Sequence, residues 1–349
     1  MAITALSEID NLVKQVKDST IPEKLSERIL VRLSQLTKLT DSQSFLPEYD
    51  RINKYIEWVL GIPWGKKTQD NLDLENAKKV LDSHHYGLNE IKNRILEYMS
   101  VMKLKQEKGE IEDIYRAPIL CFVGLVGTGK TTIAYSIAEA LGRQFSRIPF
   151  GGMGDPLDLR GQSKMHAEAE PGKIVKALRN TQSINPVILL DEIDRVTDEG
   201  RASIMGVLVE LLDPEQNHNF VDHYIDYPVN LSNVLFIATA NNTTNISTAV
   251  LDRIEPIVMP SYTDMEKIVI GQKYILPSAL KSAGIPEGSI IISDDVWANV
   301  VRPLGYDAGI RTLERTIDGI VRKVAHSIIE GKGKTFNITS QNIKEFLPQ

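Results

Sequence analysis

The sequence predicts an α/β layer with a largely parallel sheet, preceded and followed by all-α segments. Three observations predict it. Between Pro118 and Pro260 short apolar runs alternate with helix-patterned stretches. On either side of that region apolar residues recur at helical spacing. A glycine-rich loop joins the first apolar run to the helix after it.

Taken in order, Leu25, Ile29, Leu33 and Leu36, and later Ile91, Ile95, Tyr98 and Met102, mark helices in the N-terminal third. Between them Tyr55, Trp58 and Trp64, around an Ile62-Pro-Trp64 turn, form a packing surface. The stretch Lys103–Arg116 is charged, contains Gly109, and reads as a flexible connector. Ile119–Val123, Val187–Leu190 and Val234–Ala238 are the strands; Thr131–Leu141, Gly172–Asn180 and Arg201–Leu212 are the helices between them. After Pro260 the strand signal fades and helices return at Asp264–Ile275, Asp294–Val301, Thr312–Ile329 and Gln341–Leu347. There is no repeat of fixed period and no low-complexity tract.

The 349 residues suggest two or three domains at about 100–200 residues each. Forty Lys and Arg against 46 Asp and Glu give a net charge of −6, with 25% charged and 42% hydrophobic residues, which excludes a disordered chain. No basic stripe interleaved with aromatics occurs, so nucleic acid is not an expected partner. The longest apolar stretch, Ile119–Val126, falls short of the ~18 residues of a membrane span. Met1–Asp10 holds two acids and no Lys or Arg, unlike a signal or transit peptide. The lone cysteine, Cys121, sits in an apolar run, and a cytoplasmic location is expected.

The chemistry is carried by Gly124-Leu125-Val126-Gly127-Thr128-Gly129-Lys130-Thr131, followed by Thr132, which fits the phosphate-loop pattern between a strand and a helix. Its glycines let successive backbone N–H groups surround a phosphate, and the helix N-terminus adds a favourable dipole. Lys130 is expected on the β- and γ-phosphates, and the Thr131 hydroxyl on Mg²⁺. Downstream, Val187–Leu190 ends in Asp191-Glu192, at the end of a strand where open α/β sheets bind ligands. Asp191 is expected to hold the Mg²⁺ hydration shell, and Glu192 to polarise the water that attacks the γ-phosphate. Asn241, after the third strand, could orient that water from the other side. Arg253 and Arg311 could stabilise transition-state charge, since a guanidinium offers several donors in one plane.

Further segments carry a family likeness: Tyr55-Ile-Glu-Trp58, Ile62-Pro-Trp64, His85-Tyr-Gly-Leu88, Ile95-Leu-Glu-Tyr98 and Pro118-Ile-Leu-Cys121. Leu190-Asp-Glu-Ile-Asp194, Leu212-Asp-Pro-Glu-Gln-Asn217, Asp222-His-Tyr224 and Ala308-Gly-Ile-Arg311 add to them. Over nearly its whole length the chain resembles the AAA+ ATPase module of Lon-type ATP-dependent proteases. The resemblance implies an AAA+ P-loop NTPase domain (83–258), a helical N-terminal segment (1–82) and a helical lid (259–349). It implies a ring of six identical subunits with ATP between neighbours, acting on unfolded or damaged proteins in protein quality control. Arg253 resembles the arginine finger, Asn241 the sensor-1 residue, Arg311 the sensor-2 residue and Arg201 a further interface arginine. His85, Tyr86 and Gly87 lie where the family forms its adenine pocket.

Two departures stand out. The sequence reaches Gln349 where a Lon protein begins its Ser–Lys peptidase domain, so peptidase activity is not expected from this chain alone. Ser278-Ala-Leu-Lys281 has the S-x-x-K spacing but no other hydrolase motif around it, and reads as a chance match. The segment Gly161–Gly172 stands in place of the substrate-gripping pore loop, with His166 and Ala167 where the family has an aromatic and an aliphatic residue. Small and acidic residues bury little apolar area, so a weak grip is expected. An alternative therefore stays open: an ATP-regulated oligomeric scaffold or assembly protein that does not translocate polypeptide. His218 and His223 beside Asp222 match no standard zinc spacing and read as structural.

Overall fold

The structure, a computed structural model, describes residues 2–109, 119–166, 168–302, 307 and 309–347. Five helices come first: α1 (Ala2–Lys17), α2 (Glu23–Leu36), α3 (Phe45–Gly61), α4 (Leu74–His84) and α5 (Asn89–Glu107). Strand β1 (Ile119–Val123) leads into α6 (Lys130–Ala140), then β2 (Phe145–Pro149), α7 (Leu157–Arg160) and α8 (Lys173–Thr181). Next come β3 (Val187–Asp191), α9 (Arg201–Leu212), β4 (Phe220–Asp222), β5 (Tyr227–Val229), β6 (Leu235–Ala240), α10 (Thr248–Leu251) and β7 (Ile254–Val258). The chain continues through α11 (Asp264–Ile270), α12 (Leu276–Ser282), β8 (Ile290–Ile292) and α13 (Trp297–Val301). It closes with α14 (Arg311–Ile329), β9 (Phe336–Ile338) and α15 (Ile343–Phe346).

The main sheet has the order β2-β3-β6-β1-β7. β2 runs parallel to β3 with Pro149 opposite Asp191, and β3 parallel to β6 with Leu190 opposite Ala238. Every residue of β3 and β6 is buried, so apart from Asp191 and Thr239 they read as continuous apolar runs rather than alternating ones. The register matters for the site, because it sets Asp191 at the C-terminal end of its strand.

The chain divides into two compact units. The first comprises Met1–Leu72, Ser100–Cys121 and Ala138–Glu255. Leu25, Ile29, Leu33 and Leu36 are all buried on one stripe of α2, which packs with α1 and α3. The aromatic cluster is a packing surface, as the sequence suggests. The Tyr55 hydroxyl donates to the Ile225 carbonyl at 2.8 Å, Arg179 stacks 4.2 Å from the Trp58 ring, and Trp64 meets Tyr227 edge-on. Asp222 is fully buried and accepts from the Gly172, Tyr224 and Ile225 N–H groups, although burial raises its pKa. That accounts for the Asp222-His-Tyr224 segment structurally. No group of three metal-ligating side chains occurs among the described residues.

The second unit comprises Asp73–Met99, Phe122–Ile137 and Pro256–Gln349. Its core is built on Trp297, Val300, Leu313, Ile317, Ile320 and Val324. Gly271 is required here: a Cβ on it would lie 2.6 Å from the Trp297 ring. Three expectations are corrected. The β signal does not end at Pro260, because β8 and β9 pair in parallel, Ile290 opposite Phe336; three residues are too few to show a period. Asp264–Ile275 is not one α-helix but α11 followed by a wider i→i+5 turn at Gly271–Ile275, which carries on into α12. The charged connector begins later than Lys103, since α5 continues to Glu107 on good helix formers. Residues 110–116 of that connector, with Pro118, Ala167 and Ala308, lie outside the described residues.

Candidate functional site

The phosphate loop belongs to the second unit. β1 ends at Val123, whose carbonyl accepts from the Met259 N–H at 2.7 Å. Gly127 and Gly129 have φ of 84° and 91°, which glycine adopts at little cost and side-chain-bearing residues do not. Gly124, Leu125 and Val126 lead into this turn, and Thr128 ties it by donating its hydroxyl to the Leu125 carbonyl at 2.9 Å. Lys130 opens α6 and is only 7% exposed; its ammonium donates to the carbonyls of Gly124 at 2.5 Å and Leu125 at 3.0 Å. Thr131 follows on the first turn, and the Thr132 hydroxyl donates to the Gly129 carbonyl.

The Ile310 N–H donates to the Gly127 carbonyl at 3.0 Å, just before α14 begins at Arg311. Arg311 is exposed, with its aliphatic stem beside Gly127. Next to the loop lies a cavity of about 790 Å³ whose wall includes His85, Tyr86, Gly129, Thr132, Tyr262 and Ile310. Gly87, the next residue after Tyr86, takes φ of 64°. Ser136 organises this wall. Its hydroxyl donates to the Thr132 carbonyl at 3.1 Å and lies 2.9 Å from His84 Nδ1 and 3.0 Å from His85 Nε2. Ser136 thus bridges the Thr132 carbonyl and both imidazoles. Burial, helped by His84 and Lys92, pushes the His85 pKa down to about 4, so the ring is neutral at pH 7. Tyr262 donates to the Thr128 carbonyl at 3.3 Å, and burial raises its pKa to about 12.

The acidic pair belongs to the first unit. Asp191 is 4% exposed; one carboxylate oxygen accepts from Arg147 at 2.7 and 2.5 Å and the other from the Thr239 hydroxyl. Thr239 also accepts from the Glu192 N–H at 2.8 Å, so one hydroxyl fixes both acids. Glu192 has φ 58° and ψ 51°, a left-handed conformation that a non-glycine residue holds only when its surroundings impose it. Such residues gather at functional sites. Asn241 directly follows β6, and its N–H donates to Asp194 at 3.1 Å, with Asn242 donating to the other oxygen. Asp191, Glu192 and Asn241 are thus set at the ends of neighbouring strands β3 and β6.

Two arginines are engaged elsewhere. Arg253 donates to Asp213 at 2.9 Å and to the Ala249 carbonyl at 2.8 Å, and its hydrogen bond holds the Asp213 pKa below the usual carboxylate value. Arg201 pairs with Asp198 at the start of α9, leaving its buried Nε without a partner. Ser278 and Lys281 lie on α12. Sequence reasoning missed Ser136, Arg147, Thr239 and Tyr262. Each acts through a partner far along the chain, and no local pattern marks it. Asp194 ends the Leu190-Asp-Glu-Ile-Asp194 segment, but only the fold discloses that it staples Asn241.

Residues 120–262 match the model of the AAA family, ATPases associated with various cellular activities. Residues 281–336 match the Lon protease AAA+ ATPase lid domain. The chain is 42% identical over 346 residues to the Lon protease of Lawsonia intracellularis, covering 99% of this chain and 40% of that protein. It is 40% identical over 339 residues to the Lon protease of Halothermothrix orenii, covering 97% and 42%. Against Lon protease 2 of Thermus thermophilus identity is 39% over 345 residues, covering 97% and 42%. The chain therefore spans about 40% of the length of these relatives.

Proposed function

Because the chain belongs to the AAA ATPases and carries a Lon-type lid, we propose that it binds and hydrolyses ATP with Mg²⁺ to unfold and translocate protein substrates. The observation that carries this reading is the phosphate loop beside a cavity of about 790 Å³, both in one unit. That volume lies in the range of small-molecule pockets, roughly 300–1,000 Å³. The chain's relatives are named as Lon proteases, which supports a role within ATP-dependent proteolysis for this part. We assign the N-terminal segment to 1–82, the large ATPase domain to 83–258 and the lid to 259–349. A homo-hexamer and a peptidase domain beyond this sequence belong to the same proposal.

In this mechanism the Gly124–Gly129 backbone and Lys130 hold phosphate oxygens, while His85, Tyr86 and Gly87 border the base. Thr131 and Asp191 are the Mg²⁺ residues. A hydroxyl and a carboxylate suit a hard cation that keeps much of its water, and Arg147 on Asp191 favours contact through that water. Mg²⁺ held there would neutralise charge on the phosphates. Glu192 accepts a proton from the attacking water, Asn241 orients that water, and Arg311 meets the γ-phosphate from the lid. Arg253 serves a neighbouring subunit's nucleotide once it leaves Asp213.

The scaffold reading is favoured by one observation: an exposed His166, next to Met165 at 84% exposure, stands where a gripping aromatic is expected. ATP turnover with and without an unfolded protein such as casein separates the two. Stimulation by casein is expected of a motor; turnover that ignores casein supports the scaffold.

A further inference from the structure

Between α4 and α5 the chain turns through Gly87 and Leu88, with φ of 64° and 53°. Leu88 carries a side chain that this left-handed region disfavours, so the turn needs support from its surroundings. His85, at the start of the turn, is fixed at three points. Its N–H donates to the Leu81 carbonyl at 3.0 Å, its imidazole is bonded to Ser136, and its carbonyl accepts from Lys92 Nζ at 2.6 Å. Lys92 lies in the first turns of α5, is 6% exposed, and gives a second N–H to Asp82 at 2.7 Å. Its ammonium therefore clasps the last turn of α4 to the segment after it. His85 and Tyr86 line the cavity next to Gly129 and Thr132, while Lys92 lies outside the cavity wall.

We propose that Lys92 is a positioning residue for nucleobase recognition, holding the His85–Tyr86 edge where a purine base is accepted and taking no part in holding phosphates. The proposal rests on reading the cavity as the base end of a nucleotide site. A mostly apolar pocket selects its ligand through a few fixed polar groups, so the support behind those groups sets selectivity.

Calorimetric binding of ATP and of inorganic tripolyphosphate tests it, using the parental chain, Lys92→Met, Lys92→Arg and Asp82→Asn. Lys92→Met should raise the Kd for ATP about 10–30-fold, the loss expected for hydrogen bonds from a charged donor. Tripolyphosphate, which has no base, should bind within about twofold of the parent. Lys92→Arg keeps a cation between the two acceptors and should recover part of the loss. In hydrolysis the Lys92→Met change should raise KM and leave kcat at saturating ATP, because the base is held equally in ground and transition states. Asp82→Asn removes a half-exposed partner, keeps the fold, and should weaken ATP about threefold. Equal losses for ATP and tripolyphosphate, or a fall in kcat at constant KM, would overturn the assignment. Should Lys92→Met not fold, an unchanged ATP Kd in Asp82→Asn overturns it. A parental chain that binds no ATP defeats the nucleotide reading itself, and is told apart by the parent's own titration.

Discussion

The Ile310 N–H donates to the Gly127 carbonyl at 3.0 Å, which seats the residue before α14 directly on the phosphate loop. Gly309 makes this approach feasible: a Cβ there would lie 2.5 Å from the Val126 carbonyl oxygen and 2.7 Å from Gly127 Cα. Arg311, two residues on, owes its place to that contact.

Gly309→Ala should therefore push the start of α14 off the loop. The cost is roughly 1–3 kcal/mol of stability, as for an overpacked contact. ATP turnover should fall toward the level of Arg311→Ala, because Arg311 moves with Ile310. Thermal unfolding and turnover measured on Gly309→Ala, Arg311→Ala and the double variant check this. Additive losses in the double variant would show that Gly309 does not act through Arg311.

His85 gives a pH dependence with a definite sign. Its folded pKa of about 4 lies below the ordinary 6.5, so the unfolded chain binds more protons between those values. The stabilisation is fully present above pH 6.5 and is lost as pH falls toward 4, by on the order of 3 kcal/mol at most. Denaturant unfolding across pH 4–7 should show a shallower fall for His85→Gln than for the parent. Equal slopes would refute a neutral, buried His85.

Much of the site is legible because its chemistry is local. Gly124–Thr131 needs only consecutive backbone groups, and Asp191-Glu192 only a strand end, so sequence order places both. The supports are not local. Thr239 lies 47 residues from Glu192, and Ser136 lies 51 from His85. No period or spacing links such pairs, and the fold alone brings them together. The same holds for strands. β3 and β6 are buried and largely apolar, whereas β8 and β9 are three residues each, paired with one another and packed on the Trp297 core through Ile290 and Ile338.

Arg253 is tied to Asp213, and the proposed ring requires it to reach a neighbour's nucleotide. Arg253→Ala should abolish turnover yet leave ATP binding intact. Mixing it with Glu192→Gln subunits should restore part of the activity, since an intact Glu192 can then meet an intact Arg253. No rescue across mixing ratios, with mixed assembly verified by mass, would count against a shared site.

The loop bearing His166 should gain grip when His166→Tyr and Ala167→Ile are combined. Each side chain adds apolar area worth on the order of 1–3 kcal/mol if fully buried against a polypeptide. Casein-stimulated ATP turnover should rise while basal turnover stays near the parent's. An unchanged ratio of the two rates would remove this loop from substrate handling.

The proposed hydrolysis turns on Glu192. Its left-handed backbone and its N–H bond to Thr239 fix it beside Asp191, and the proposed mechanism makes it the base for water rather than a phosphate ligand. ATP Kd and ATP turnover measured side by side on the parent and Glu192→Gln decide the matter. In Glu192→Gln the Kd should stay within about twofold of the parent's, while turnover should fall by about 10²-fold or more. Turnover at the parental rate in Glu192→Gln would contradict it.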